Sequence, residues 1–133
     1  MKNITLIIPA KDESESLPSV IKNLKKFKFR IMVVLHKSDK KTIKSIRKFK
    51  INLVYQNNNG YGDALIKGIN KCDTRYFCIF NADGSFRPVE ILKMMRLLNK
   101  ENLKCMAFCD IKKTKNGGDS MQTALFGIFF KRI

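Results

Sequence analysis

Asp83 is the sharpest candidate for chemistry in this sequence. It follows an apolar run, residues 76–80, and is flanked by Asn81, Gly84 and Ser85. A carboxylate at the end of a buried strand can hold Mg2+ or Mn2+ bridging two phosphates, because those ions take hard oxygen ligands and keep part of their water. An Asp-Gly pair also makes a turn that the Asp side chain caps, and spacing alone supports both readings. Gly60 and Gly62, in the stretch Asn-Gly-Tyr-Gly-Asp-Ala over residues 59–64, are the second candidate. They would let backbone N–H groups approach a phosphate, but no Gly-Lys-Ser/Thr follows and the spacing is not G-x-G-x-x-G. A helix start needing small residues fits equally well. Asp12 and Glu13 could accept hydrogen bonds from a base or ribose, or favour the positive end of a first helix. His36, the single histidine, could stack on a base or simply sit at the surface.

The elements that must position these residues follow from periodicity. Residues 4–9 form a continuous apolar run closed by Pro9, as expected of a strand covered on both faces. Leu17, Val20, Ile21, Leu24 and Phe27 then recur at helical spacing, with Pro18 suited to a first turn. Residues 31–35 predict a second strand. Asp39 can cap a short helix that turns Ile43 and Ile46 inward, and residues 52–55 predict a third strand. A loop over 57–62 opens a helix with Ala64, Leu65, Gly68 and Ile69 on one side. Residues 76–80 form a fourth strand, and Pro88 starts a helix striped by Ile91, Met94, Met95 and Leu98. A fifth strand is expected over 103–111. This alternation argues for an α/β layer fold with a mainly parallel sheet and right-handed crossovers. Ligand crevices in such sheets lie beyond the carboxyl ends of the strands. There the Asp12-Glu13 pair, His36, the 56–62 loop and Asp83 all gather, in a chain with only 11 acidic residues.

Composition narrows the class. The 133 residues carry 27 Lys+Arg, a net charge of +16 and 44% hydrophobic residues. That length suits one domain with a true core, and the apolar content excludes global disorder. No apolar run approaches the ~20 residues that span a bilayer. The first apolar run has no small-residue cleavage site after it and reads as a strand, not a signal peptide. The chain is therefore expected in the cytoplasm, either soluble, with its basic residues on solvated helix faces, or peripheral at the membrane face where its charge meets anionic lipid. Phe27, Phe29 and Phe49 look like core anchors, so the basic residues lack the exposed aromatics of a nucleic-acid module. Cys72, Cys78, Cys105 and Cys109 form no Cys-x-x-Cys pair, which argues against zinc and for reduced thiols, with Cys78 and Cys105 inside apolar runs as small buried hydrophobes.

Taken together, these residues resemble a known family. Residues 4–13, ending Pro-Ala-Lys-Asp-Glu, resemble the opening strand of family 2 glycosyltransferases, where Pro-x-x-Asn-Glu is usual. Residues 58–69 look like their Asn-x-Gly-x-Gly-x-Ala-x-x-x-Gly segment, and residues 80–88 like their strand-end Asp-x-Asp followed by Pro. The resemblance implies a Rossmann-like GT-A fold, a UDP- or GDP-linked sugar donor and a divalent metal. By it, Pro9, Ala10, Asp12 and Glu13 line the nucleoside pocket. Gly60 and Gly62 admit the donor, and Asp83 takes the metal and diphosphate. The polyprenyl-phosphate (dolichol-phosphate-like) sugar transferases are the most similar group, which implies a polyprenyl-phosphate acceptor.

Two departures stand out. Asn81 replaces the first Asp of Asp-x-Asp, which weakens the cation site. His36 falls where the family commonly reads Asp-Asp-Gly-Ser, so base recognition must differ. Relatives of this kind usually continue well beyond this length. Residues 1–112 are therefore read as the donor-binding α/β domain, with residues 113–133 an incomplete C-terminal element, a loop plus a short apolar helix over 124–130. Two functional readings remain open. One is an enzyme transferring a sugar to a lipid-phosphate or saccharide acceptor, and the other a truncated donor-binding module without transferase activity.

Overall fold

A computed structural model describes residues 3–100, 106–112 and 122–130, with side chains for residues 3–97. The strands are β1 (Ile4–Pro9), β2 (Arg30–His36), β3 (Asn52–Gln56), β4 (Tyr76–Ile79), β5 (Met106–Lys112) and β6 (Gln122–Phe130). The helices are α1 (Leu17–Lys25), α2 (Lys40–Ile46), α3 (Tyr61–Lys71) and α4 (Pro88–Lys100). Strand order is β3-β2-β1-β4-β6-β5. The first four strands run parallel, as expected, and β6 pairs antiparallel with both β4 and β5.

Alternation along each strand sends successive side chains to opposite faces, and both faces are covered. Ile4, Leu6, Ile8, Val33, Leu35 and Phe80 pack against Leu17, Ile21 and Leu24 of α1, Ile46 of α2 and Ile91 of α4. Phe27 and Phe49 pack at the margin of that cluster and Phe29 lies within it, the anchoring role read from sequence. On the other face Ile7, Met32, Val34, Val54 and Phe77 pack against Ala64 of α3. Gly68 lets α3 approach closely: a Cβ there would lie 2.6 Å from Ile7 Cγ2 and 3.1 Å from Val34 Cγ2. At the edge of the sheet away from the loop cluster, buried Thr5 and Thr74 join their hydroxyls at 2.7 Å, and Thr74 donates to the Tyr76 carbonyl at 2.8 Å.

The C-terminal stretch corrects the sequence reading. The short apolar helix expected over 124–130 is instead strand β6, with Tyr76 opposite Phe130 and Cys78 opposite Ile128. The physical reason is that β4, paired on one side with β1, presents a second row of backbone N–H and C=O groups that need partners. An apolar run of this length is ambiguous between helix and strand until that edge is known. The fifth strand expected over 103–111 is described over Met106–Lys112, and residues 103–105 lie outside the described residues. Leu98, Cys105, Cys109 and the loop expected from residue 113 lie outside the residues or side chains described.

Candidate functional site

The carboxyl ends of β1, β2, β3 and β4 open into a cavity of about 460 Å³. Each wall comes from the loop after one strand, because parallel strands deliver all their following loops to the same edge. From β1 come Pro9, the buried Ala10, Asp12 and Glu13. From β2 come His36, Ser38 and Asp39, from β3 Gln56, Asn59, Gly60 and Tyr61, and from β4 Asn81 and Asp83. Of the residues singled out by sequence, all but Gly62 lie on the cavity wall. Gly62 sits in the first turn of α3 with open space where a Cβ would go.

The β1 loop is held by the start of α2. Asp12 adopts φ +56°, a left-handed conformation that Asp tolerates better than most residues. Its N–H donates to Asp39 Oδ2 at 2.9 Å, and the next N–H, of Glu13, donates to Thr42 Oγ1 at 3.1 Å. Asp39 Oδ1 meanwhile accepts from Thr42 N–H at 3.2 Å as the N-cap of α2. Partial burial pushes the Asp39 carboxyl up, but the hydrogen bonds from Asp12 and Thr42 outweigh it and leave the group below its ordinary value. Asp39 thus ties two walls together as well as capping a helix. Only the cap was legible in sequence, since the partner lies 27 residues away.

Gln56 holds the third wall. Its Nε2 donates to the Asn58 carbonyl at 2.7 Å and the Gly60 carbonyl at 3.1 Å. Gly60 needs to be glycine because its φ of +111° is one that side chains rarely allow. Asp63, in the first turn of α3, accepts from the Asn58 N–H at 3.3 Å, closing the loop onto the helix. Tyr61 keeps its proton, since burial pushes its hydroxyl up.

At β4 Asp83 makes the turn that one of its two sequence readings gave it. Its Oδ1 accepts from Ser85 N–H at 2.8 Å, an Asx turn completed by Gly84 at φ +78°. Oδ2 makes no hydrogen bond among the described residues and the side chain is exposed on the cavity wall. Asn81 stands beside it, half-buried. A carboxylate oxygen and an amide oxygen are the hard donors that Mg2+ or Mn2+ takes, so the residues present fit such an ion. Among the described residues no group of three His, Cys, Asp or Glu could hold a metal.

The chain is 29% identical to an uncharacterized protein of Methanocaldococcus jannaschii over 147 residues, covering 96% of this chain and 59% of that one. It is 28% identical over 97 residues to an uncharacterized glycosyltransferase of Mycobacterium bovis, covering 73% of this chain and 44% of the other. Among solved structures it resembles glucosyl-3-phosphoglycerate synthase from Mycobacterium tuberculosis, crystallised with Mn2+, UDP and glucosyl-3-phosphoglycerate. That match has a TM-score of 0.67 at 17% identity and covers 78% of this chain and 42% of the other. The chain therefore spans between two fifths and three fifths of the proteins it matches, and the structural likeness bears on the fold. The sequence matches the profile "Glycosyl transferase family 2" over residues 5–132. With its parallel sheet, helices on both faces and loops converging on one cavity, the chain belongs to glycosyl transferase family 2 and has the α/β, Rossmann-like GT-A fold.

Proposed function

We propose that the cavity binds a nucleoside-diphosphate sugar and serves transfer of the sugar to a lipid-phosphate or saccharide acceptor. The observation that carries this reading is the separation of two chemistries within one cavity. Hydrogen-bonding groups of Glu13, His36 and Gln56 stand at the β1–β3 end, and the oxygen donors of Asn81 and Asp83 at the β4 end. β2 and β4 flank β1, so the two ends lie about 10 Å apart at ~4.8 Å per strand. That span suits a nucleoside at one end and its diphosphate at the other. Pro9, Ala10, Asp12 and Glu13 would border the nucleoside. Gly60 would admit the donor beside α3, and Gly62 lies in the first turn of α3, off the cavity wall.

In the reaction an acceptor oxygen forms a bond to the anomeric carbon while the bond from that carbon to the diphosphate oxygen breaks, releasing nucleoside diphosphate. A divalent cation bound at Asp83 and Asn81 would supply charge that stabilises the departing diphosphate. The Ser85 N–H engages one carboxylate oxygen of Asp83, and the other makes no hydrogen bond among the described residues, which supports this role. The acceptor reading is a polyprenyl phosphate, presented at an anionic membrane surface. The exposed lysines of α1 and α2, with net charge +16 overall, favour such a surface. No described helix is long and apolar enough to cross a membrane.

The test is a thermal-shift panel of UDP, GDP and their sugars with and without Mn2+. A nucleotide-selective, metal-enhanced rise is expected, and Asp83→Ala should abolish the metal enhancement with little change in the melting of the ligand-free protein, which loses only the exposed bond to the Ser85 N–H. A flat panel on folded protein would overturn the donor-site reading. Metal enhancement that survives in Asp83→Ala would remove Asp83 from the cation site.

A further inference from the structure

Net charge by itself assigns no face of the molecule, but the fold does. Residues 22–50 carry twelve Lys and Arg and a single acid, Asp39. All twelve cations are exposed. Only Arg30 among them meets a carboxylate among the described residues, that of Asp73 at 3.0 Å. Asp39 is half-buried, with its oxygens engaged by the N–H groups of Asp12 and Thr42. α1 and α2 touch each other on one face of the sheet, each turning its apolar residues to the core, so their basic sides form one surface. Packed helices stand about 8–10 Å apart, which is about one Debye length, and the charges act together. Lys25 Nζ donates to the Lys50 carbonyl at 3.4 Å, which ties the end of α1 to the segment after α2. On the opposite face α3 carries only Lys67 and Lys71, against Asp63. Like charges gathered on one face repel and destabilise the compact state, and an anionic counter-surface would relieve that repulsion.

We propose that the α1–α2 face holds the protein against an anionic bilayer by charge alone. Among the described residues the exposed large apolar side chains are Tyr55, Tyr61, Ile66 and Leu97, none of them on α1 or α2. The patch therefore offers no wedge for insertion between acyl chains and no ring on which nucleic-acid bases could stack. Phe27 and Phe29 stack on each other, with centroids 6.0 Å apart, and Lys48 lies over the Phe49 ring at 5.4 Å. What the surface presents is a broad field of ammonium and guanidinium groups, suited to phosphate headgroups spread over a plane. The patch also reaches the cavity, since Lys37 and Lys40 adjoin Ser38 and Asp39 of its wall. Adsorption thus brings the cavity alongside the headgroups. That use of the surface rests on the donor-site reading, whereas the adsorption itself does not.

Co-sedimentation of the full chain with vesicles tests the proposal, using phosphatidylcholine alone and phosphatidylcholine with about a third phosphatidylglycerol. Wild type should bind the anionic vesicles at about 0.1 M salt, ignore the neutral ones, and dissociate at about 1 M, where the Debye length falls to about 3 Å. Two double variants then separate the face from the total charge. Lys26→Gln with Lys44→Gln and Lys67→Gln with Lys71→Gln lower the net charge equally, the first on α1 and α2 and the second on α3. Each lysine near the bilayer contributes about fivefold to partitioning, so the first pair should weaken binding about 25-fold and the second less than about twofold. Equal losses in the two pairs would overturn the assignment of the face. Binding of wild type to both vesicles alike, or to neither, would overturn the lipid surface, and so would a duplex RNA that displaces the protein from the anionic vesicles at equal phosphate concentration. The wild-type arms decide the need for lipid charge even if a variant does not fold. A thermal shift with UDP or GDP on protein that ignores vesicles would overturn this proposal and leave the donor site standing.

Discussion

Removing the Asp39 carboxylate should destabilise the protein by about 2 kcal/mol, and the structure dictates how that loss divides. In Asp39→Ala the N-cap of α2 loses its bond to Thr42 N–H, at about 1 kcal/mol. The Asp12 N–H, in its left-handed loop, loses its acceptor at 2.9 Å, at about 1 kcal/mol more because this bond lies near the surface. For a chain of this size the sum corresponds to a fall in Tm of about 8 °C. The pH dependence has a definite sign. The folded carboxyl lies below its ordinary value of 3.8, so its stabilisation is complete above pH 3.8 and lost as pH falls through the lowered folded value. Urea unfolding followed by circular dichroism, at pH 7 and about pH 3, should therefore show a gap between wild type and Asp39→Ala that narrows in acid. Asp39→Asn keeps an oxygen for Thr42 but turns an NH2 toward the Asp12 N–H, so it should lose about 1 kcal/mol or somewhat more. A loss below about 0.5 kcal/mol at pH 7, or a gap that does not change with pH, would refute the tethering argument.

Three further outcomes can be checked on the same protein. Asn81→Asp adds a second carboxylate beside Asp83 and should lower the Mn2+ concentration needed to enhance nucleotide binding; an unchanged Mn2+ titration would mean Asn81 does not face the ion. Gly68→Ala puts a Cβ 2.6 Å from the fully buried, β-branched Ile7. The overpacking costs about 1–3 kcal/mol and outweighs the gain of about 1 kcal/mol in helix propensity, so a variant as stable as wild type in urea would contradict the close approach of α3. The Cys78 thiol is fully buried and pushed far up by desolvation, so peptide mapping after maleimide treatment at pH 8 should find it unlabelled until urea unfolds the chain. Labelling in native buffer would show that the β4 core opens.

What local chemistry can signal was legible in the residues. The apolar runs at β1, β2 and β4 and the 3.6-residue stripes of α1 and α3 depend on nearest neighbours along the chain, and the observed elements follow them. So does the gathering of Asp12, Glu13, His36, Gly60 and Asp83 at one edge, because parallel strands joined by crossovers must place their outgoing loops together. Other features required partners distant in sequence. Residues 124–130 are compatible with a helix until β4 offers a bare edge, and pairing with that edge makes them a strand. Asp39 reads as a helix cap until the fold brings the Asp12 N–H to its second oxygen. Periodicity and turn chemistry act over a few residues, whereas a hydrogen-bond partner across a sheet is chosen by the whole chain's packing. The first four strands and the helices between them are therefore local properties of the sequence, whereas β6 and the tie between the first two loops are tertiary ones.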